Sequence, residues 1–363
     1  MRKNRLLLGI LVSLCVLSLA VPALAWHRSE AKILTILPDG SGGPEGLTVG
    51  PDGNVYVASF GFNAAGAIAS ANGLLFVIAP DGHLLRQVTI QNSSPHLLGL
   101  AFHPISGELL VLDFGAGNVL SVNSHTGASS VFSAIPSDDK AAANPTGSGI
   151  NALTFDKAGN VYVSDSFQGV IWKIGPGGGT PSIWVTDPLL TTSGVPPFGA
   201  NGNEFNKAQT TMFVANTGND TIVQIPVNGD GSAGKPSVFV NSINGADGIV
   251  IDRHDNLWVA ANQADEIVVV DKTGKVIAKL GDFKGVDEHG VPHGLLFPAS
   301  PAFSADHEWL FVTNLALDLR LFGLVEAVDS QWTAQVKHYT VSKIRARIPR
   351  LGDDDDKDHH DRD

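Results

Sequence analysis

A sixteen- to eighteen-residue phrase recurs six times along the chain, and it limits the fold more than any other feature of the sequence. In its clearest form, Gly149–Ser166 reads GINALTFDKAGNVYVSDS: an apolar strand, a tight Gly/Asn turn and a second apolar strand. Period-2 strands around Gly and Asn form a hairpin signal. The phrase returns as EGLTVGPDGNVYVASF at Glu45–Phe60 and LGLAFHPISGELLVLDF at Leu98–Phe114. Asn201–Thr217, Asp247–Asn262 and Ala299–Asn314 carry the remaining copies. Aligned on their strands, Glu45, Leu98, Asn151, Asn201, Asp247 and Ala299 share one position, at spacings of 53, 53, 50, 46 and 52 residues. All-β units of about 40–50 residues, each with room for four short strands, are the signature of propeller blades. The expectation is an all-β, six-bladed β-propeller of four-stranded blades over residues 32–348. A single β-sandwich would not keep six copies in near-constant register.

The strand Lys32–Leu37 lies outside the first copy and is expected to pair with the last blade, which removes the open edges. An apolar-polar alternation around Trp332–Val341 is expected to help complete that blade. Gly61–Asn72, Ser137–Ser148, Thr186–Gly199 and Ala278–Phe297 read as long loops, the last three arriving just before ring positions on one face. Trp172, Trp184 and Trp258 read as blade core, and His103, His254 and His307 as exposed turn residues.

Residues 1–25 have a basic start, an apolar run from Leu6 to Val21 and an Ala23-Leu24-Ala25 end. That is the pattern of a secretory signal peptide, and it predicts a periplasmic or extracellular protein with no membrane anchor in the mature chain. Cys15 is the sole cysteine, so the mature chain must be held by its core and not by disulfides. The formal net charge of −12 becomes −15 without Arg2, Lys3 and Arg5, which argues against a nucleic-acid partner. Residues 352–363, acidic and His-bearing, read as a disordered tail.

Four of the six equivalent ring positions are polar: Glu45, Asn151, Asn201 and Asp247. Converging on the propeller axis, two carboxylates and two amide carbonyls would form an all-oxygen site suited to Ca²⁺, or to Mg²⁺ or Mn²⁺, and not to zinc. Without a cation, Glu45 and Asp247 would face each other at an electrostatic cost. The competing reading is four polar caps bonded to loop backbone. His96 and His293 precede ring positions and are candidates to assist proton transfer to substrate. A second register closes the second strand of each copy: Ser59, Asp113, Asp165, Asn216, Ala261 and Asn314. It reads as turn-bonding structure, with Asp165 and Asn216 also carried as substrate candidates.

Glu45-Gly46, Asn151-Ala152-Leu153, Asn201-Gly202 and Asp247-Gly248-Ile249, in that chain order, resemble the metal ligands of the SMP-30/gluconolactonase/LRE-like family. In architecture that family is related to NHL-repeat and diisopropylfluorophosphatase propellers. The resemblance spans roughly residues 33–340 and implies a divalent-metal-dependent hydrolase of a small-molecule lactone or ester, with Asp247 as general base or nucleophile. Ala152 replaces the family's glycine. Gly149 stands where gluconolactonase-type members place an arginine that meets a sugar lactone. The rival expectations are a non-catalytic NHL-like binding scaffold with a structural metal, and a lyase or phosphotriesterase on the same geometry.

Overall fold

In a computed structural model, residues 28–137, 147–323 and 329–348 are described. The expectations for residues 1–25 and 352–363, and most of the loop Ser137–Ser148, lie outside them. Six antiparallel four-stranded sheets follow one another along the chain, and their first strands touch neighbour to neighbour, the sixth returning to the first. The fold is the expected six-bladed propeller. The first strands are Pro44–Val49, Leu97–Phe102, Ile150–Phe155, Ala200–Phe205, Ala246–Ile251 and Pro298–Phe303. Blade six is closed by Lys32–Ile36, which pairs antiparallel with Thr340–Arg345 as its outermost strand.

Side-chain alternation explains why the sheets stack. Val55 and Val57 pack toward blade six, while Tyr56 and Ala58, on the opposite face of the same strand, pack toward blade two. The pattern repeats around the molecule, giving six apolar cores, each shared by two adjacent blades. A strand buried on both faces reads as a near-continuous apolar run. Every residue of Val55–Ser59, Leu109–Asp113, Val161–Asp165 and Leu257–Ala261 is buried, the polar Ser59, Asp113, Ser164 and Asp165 being hydrogen-bonded. The outermost strands, such as Leu84–Thr89, are mostly exposed. Trp172 and Trp258 are in these cores, with Trp184 half-buried against one of them.

The turn of the recurring phrase is a side-chain clasp. Asp156 accepts hydrogen bonds from the Asn160 backbone and side-chain amides and from the Tyr162 hydroxyl. Asp52 with Asn54 and Tyr56, and Asp252 with Asn256 and Trp258, repeat it. In blade two His103 takes the aspartate's place, accepting the Ile105 and Ser106 amides at Nδ1 and donating from Nε2 to the Gly159 carbonyl. His103 is therefore buried, correcting the expectation of an exposed turn residue, whereas His254 and His307 are exposed. Trp332 is a second correction. It lies in a short helix, Ser330–Thr333, packed on Phe283, and the third strand of blade six begins only at Thr340.

Candidate metal and substrate centre

Every ring residue is the second residue of its blade's first strand, and every one sits in a pairing irregularity. In blade one, partners run from Pro44↔Ser59 to Leu47↔Val57, so three residues on one strand oppose two on the other. The same one-residue excess falls at the same place in the other five blades. A bulge of this kind re-aims the side chains of its unpaired residues. Here five of the six ring residues, all but Ala299, border one cavity.

The residue after each ring position explains the Asn-Gly and Asp-Gly pairs. A Cβ on Gly99 would lie 2.7 Å from the Asn151 carbonyl oxygen, and one on Gly248 would lie 2.6 Å from that of Ala299. Gly46 and Gly202 meet the Leu98 and Asp247 carbonyls in the same way. Each blade's glycine thus accommodates the backbone of the next ring residue. The two blades lacking that glycine use a hydroxyl instead. The Ala152 amide donates to Ser164 Oγ and the Ser300 amide to Thr313 Oγ1, both at 3.0 Å. Thr313 Oγ1 also donates to the Glu45 carbonyl at 2.7 Å, joining blade six to blade one.

Glu45, Asn151, Asn201 and Asp247 line one cavity of about 30 Å³, room for about one water or ion. All four are buried, at 4–5% exposure. Asn201 Nδ2 donates to Thr217 Oγ1 at 2.9 Å, and Thr217 Oγ1 in turn donates to the Ala246 carbonyl at 2.7 Å. Asn262 Nδ2 donates to Asp247 Oδ2 at 3.1 Å. Glu45 Oε2 and Asp247 Oδ1 are buried without a hydrogen-bond partner. Burial pushes the Glu45 carboxyl well above the usual range, and the Asp247 charge pushes it further. Burial lifts Asp247 to about 7, with the Asn262 and Asn201 amides pulling the other way. An unpartnered buried carboxylate oxygen is costly. Two on one cavity, beside amide oxygens and with no lysine or arginine in the wall, form a donor set that fits a hard divalent cation.

Two residues not singled out from the sequence, Thr217 and Asn262, also line this cavity. Phe60, Thr217, Asn262 and Leu315 each stand one residue beyond the end of a second strand, and all four border the cavity.

The other candidates are elsewhere. His96 is stacked on Phe62 at 4.3 Å, with Nδ1 2.7 Å from the Phe60 carbonyl, at the rim and outside the cavity lining. His293 belongs to a small hairpin, Phe283–Val286 with Pro292–Gly294, that touches the outermost strand Lys32–Ile36. It pairs there with Asp287 at 3.0 Å. The long approach carries it outward, away from the channel mouth. Asp165 accepts the Gly149, Phe167 and Gln168 amides and the Trp172 indole N–H. Asn216 donates to the Leu189 and Thr191 carbonyls. Both therefore clasp the loop entering their own blade, as Asn314 does by accepting the Leu296 amide.

Residues 151–315 match the sequence model of the SMP-30/Gluconolactonase/LRE-like region, bearing out the resemblance carried by Asn151, Asn201 and Asp247. No curated protein matches the sequence. Among solved structures, the chain is similar to regucalcin, a calcium-binding protein of Agrobacterium tumefaciens. The TM-score is 0.59 at 18% identity, covering 87% of this chain and 93% of that one. It is similar also to a gluconolactonase of Xanthomonas campestris, with TM-score 0.57, 14% identity and coverage of 79% and 86%. A streptogramin B lyase shares the fold at TM-score 0.55 and 14% identity, over 88% of this chain and 99% of that one. At these identities the structural likeness speaks for the fold.

Proposed function

We propose that this protein is an exported, divalent-cation-dependent hydrolase that opens a lactone or cleaves an ester, with Ca²⁺ as its ion. The observation carrying this reading is the pair of buried carboxylate oxygens, Glu45 Oε2 and Asp247 Oδ1, left without partners on one ion-sized cavity. Glu45, Asn151, Asn201 and Asp247 would hold the ion. Regucalcin, described as calcium-binding, and the gluconolactonase of the same fold support the ion and the reaction class. Export is supported by the basic start, apolar run and Ala-Leu-Ala end of residues 1–25.

A bound divalent cation supplies Lewis-acid polarisation of the substrate carbonyl and balances the two carboxylate charges. The protein's own part is proton handling and orientation. Asp247 Oδ2 is held by Asn262, so Oδ1 is the atom free to take a proton from an attacking water. The water oxygen bonds to the carbonyl carbon, and the ring or ester C–O bond then breaks. The proton held at Oδ1 passes to the leaving alkoxide, giving a hydroxy acid or an acid and an alcohol. The chain Asn201–Thr217–Ala246 carbonyl fixes the Asn201 amide.

Asp247→Asn is expected to lower kcat on a lactone and aryl-ester panel by about 10²–10⁴-fold, with unchanged circular dichroism. Undiminished turnover in that variant would remove Asp247 from the reaction. A calcium-loaded wild type that cleaves no panel member would instead favour a binding scaffold.

A further inference from the structure

Above its polar floor the cavity is bordered mostly by carbon, from Leu98, Pro196, Phe297 and two further rings, Phe60 and Phe198, and those two are linked by a chain of aromatic contacts. Phe60 lies 5.8 Å from Phe114, Phe114 lies 5.8 Å from Phe167, and Phe167 lies 5.5 Å from Phe198, centroid to centroid. The four rings come from three successive blades and from the loop entering the fourth. The first three follow the ends of the second strands of blades one, two and three, and Phe198 precedes Ala200–Phe205. Leu315 and Leu317 continue the wall on the blade-six side. Phe114, Phe167 and Phe198 are half-buried; Phe198 lines the cavity, and the other two extend its aromatic chain as a collar beside it.

Most of the donors on this wall are already committed, and Asn262 Oδ1 remains as one unpartnered acceptor. The Thr217 hydroxyl and the Asn201 amide are bonded to each other, and the Asn262 amide is bonded to Asp247. The position two residues before Asn151 cannot add one. A Cβ on Gly149 would lie 2.6 Å from Cγ of Phe167, so that aromatic ring fills the space a longer side chain would need. A polyhydroxylated ring entering here would give up water at each hydroxyl and find few partners, whereas an alkyl or aryl group would lose nothing polar.

Resting on the hydrolase reading above, the geometry points to a substrate with an apolar, ring-bearing or alkyl body: an aryl or alkyl lactone or ester. The aromatic collar selects it against polyhydroxylated sugar lactones. The carbonyl reaches the Glu45–Asp247 floor, and the hydrocarbon part lies against Phe60, Phe198 and Leu317 of the cavity wall, where aromatic faces favour offset or edge contacts.

The test compares kcat/KM for dihydrocoumarin, an aryl-fused δ-lactone, with that for glucono-δ-lactone, using the full-length calcium-loaded protein. A preference of about 100-fold or more for the aryl lactone is expected. Phe198→Ala should raise KM for dihydrocoumarin about tenfold with little change in kcat, and leave KM for the sugar lactone unmoved. Phe198→Leu, which keeps apolar volume, gives the same comparison should the alanine variant fold poorly. Equal or reversed preference overturns the inference while leaving the hydrolase reading intact. If neither lactone is cleaved, the hydrolase reading fails. Calorimetric binding of the unreactive lactam counterparts then decides the collar's role. Tighter binding of the aryl lactam by about tenfold sustains it, and equal or weaker binding overturns it.

Discussion

Glu45 and Asp247 are held in a low-dielectric cavity by the rigid starts of two non-adjacent blades, so neither can swing into water to relieve the other. Both carboxyls are consequently pushed toward their protonated forms. Removing one charge should stabilise the cation-free protein while impairing ion binding. Glu45→Gln is expected to raise the melting temperature of chelator-treated protein, by on the order of 2 °C for each kcal/mol of repulsion relieved. The same variant should abolish most of the stabilisation that added Ca²⁺ gives the wild type, and scanning calorimetry with and without ion reads both. A lower cation-free melting temperature would mean the two carboxylates do not oppose each other. At this scale the sequence was informative where a side chain's direction follows from strand register, as for the four ring positions. It was silent where direction depends on how the chain leaves a strand. Thr217 and Asn262 sit one residue past a strand end, and that turn geometry is not written in apolar alternation. His103 was misread because a histidine can accept backbone amides as an aspartate does, which removes it from water.

The blade's first strand does two jobs: its bulge aims a side chain inward, and the following residue lets the next blade close up. Gly202→Ala would drive a methyl group into the Asp247 backbone carbonyl, an overpacking conflict with backbone that cannot rotate away. A loss of about 2–3 kcal/mol in urea unfolding is expected, together with weaker ion binding because Asp247 is the residue displaced. Ala152→Gly, in the blade that uses Ser164 in place of a glycine, should cost about 1 kcal/mol or less. Similar losses for both would show that the glycine is not needed for the close approach. The hairpins were legible because two-strand alternation and an Asp/Asn/aromatic clasp recur in the sequence. The end of blade six was not. Its Trp332 and Val336 alternate like a strand but serve a short helix and turn packed under Phe283, a tertiary contact that local pattern does not contain.

Across the whole molecule, the closed ring leaves a second carboxyl pair inside, Asp265 and Asp329, which link blade five to the segment after blade six's second strand. Asp265 accepts the Phe297 amide at 2.7 Å, next to the cavity. Burial and the nearby Asp329 charge push it up to about 8, and burial pushes Asp329 up as well. Unfolded, these acids titrate near pH 4. Between about pH 4 and 8 the folded chain therefore holds more protons than the unfolded one, and stability falls as pH rises through that window. The melting temperature of cation-free protein should drop from pH 5 to pH 8.5, and Asp265→Asn should flatten the drop. An unchanged slope in the variant would contradict this. Glu45 and Asp247 contribute the same sign until an ion replaces their protons, so calcium affinity should weaken as pH falls below about 7. The most direct measurement is a calorimetric titration of Ca²⁺ into chelator-treated protein at pH 7.5, for wild type and for the Glu45→Gln/Asp247→Asn double variant. The account predicts one ion per chain in the wild type and no binding in a variant that remains folded. Absence of binding to the wild type, or equal binding to both, would contradict it.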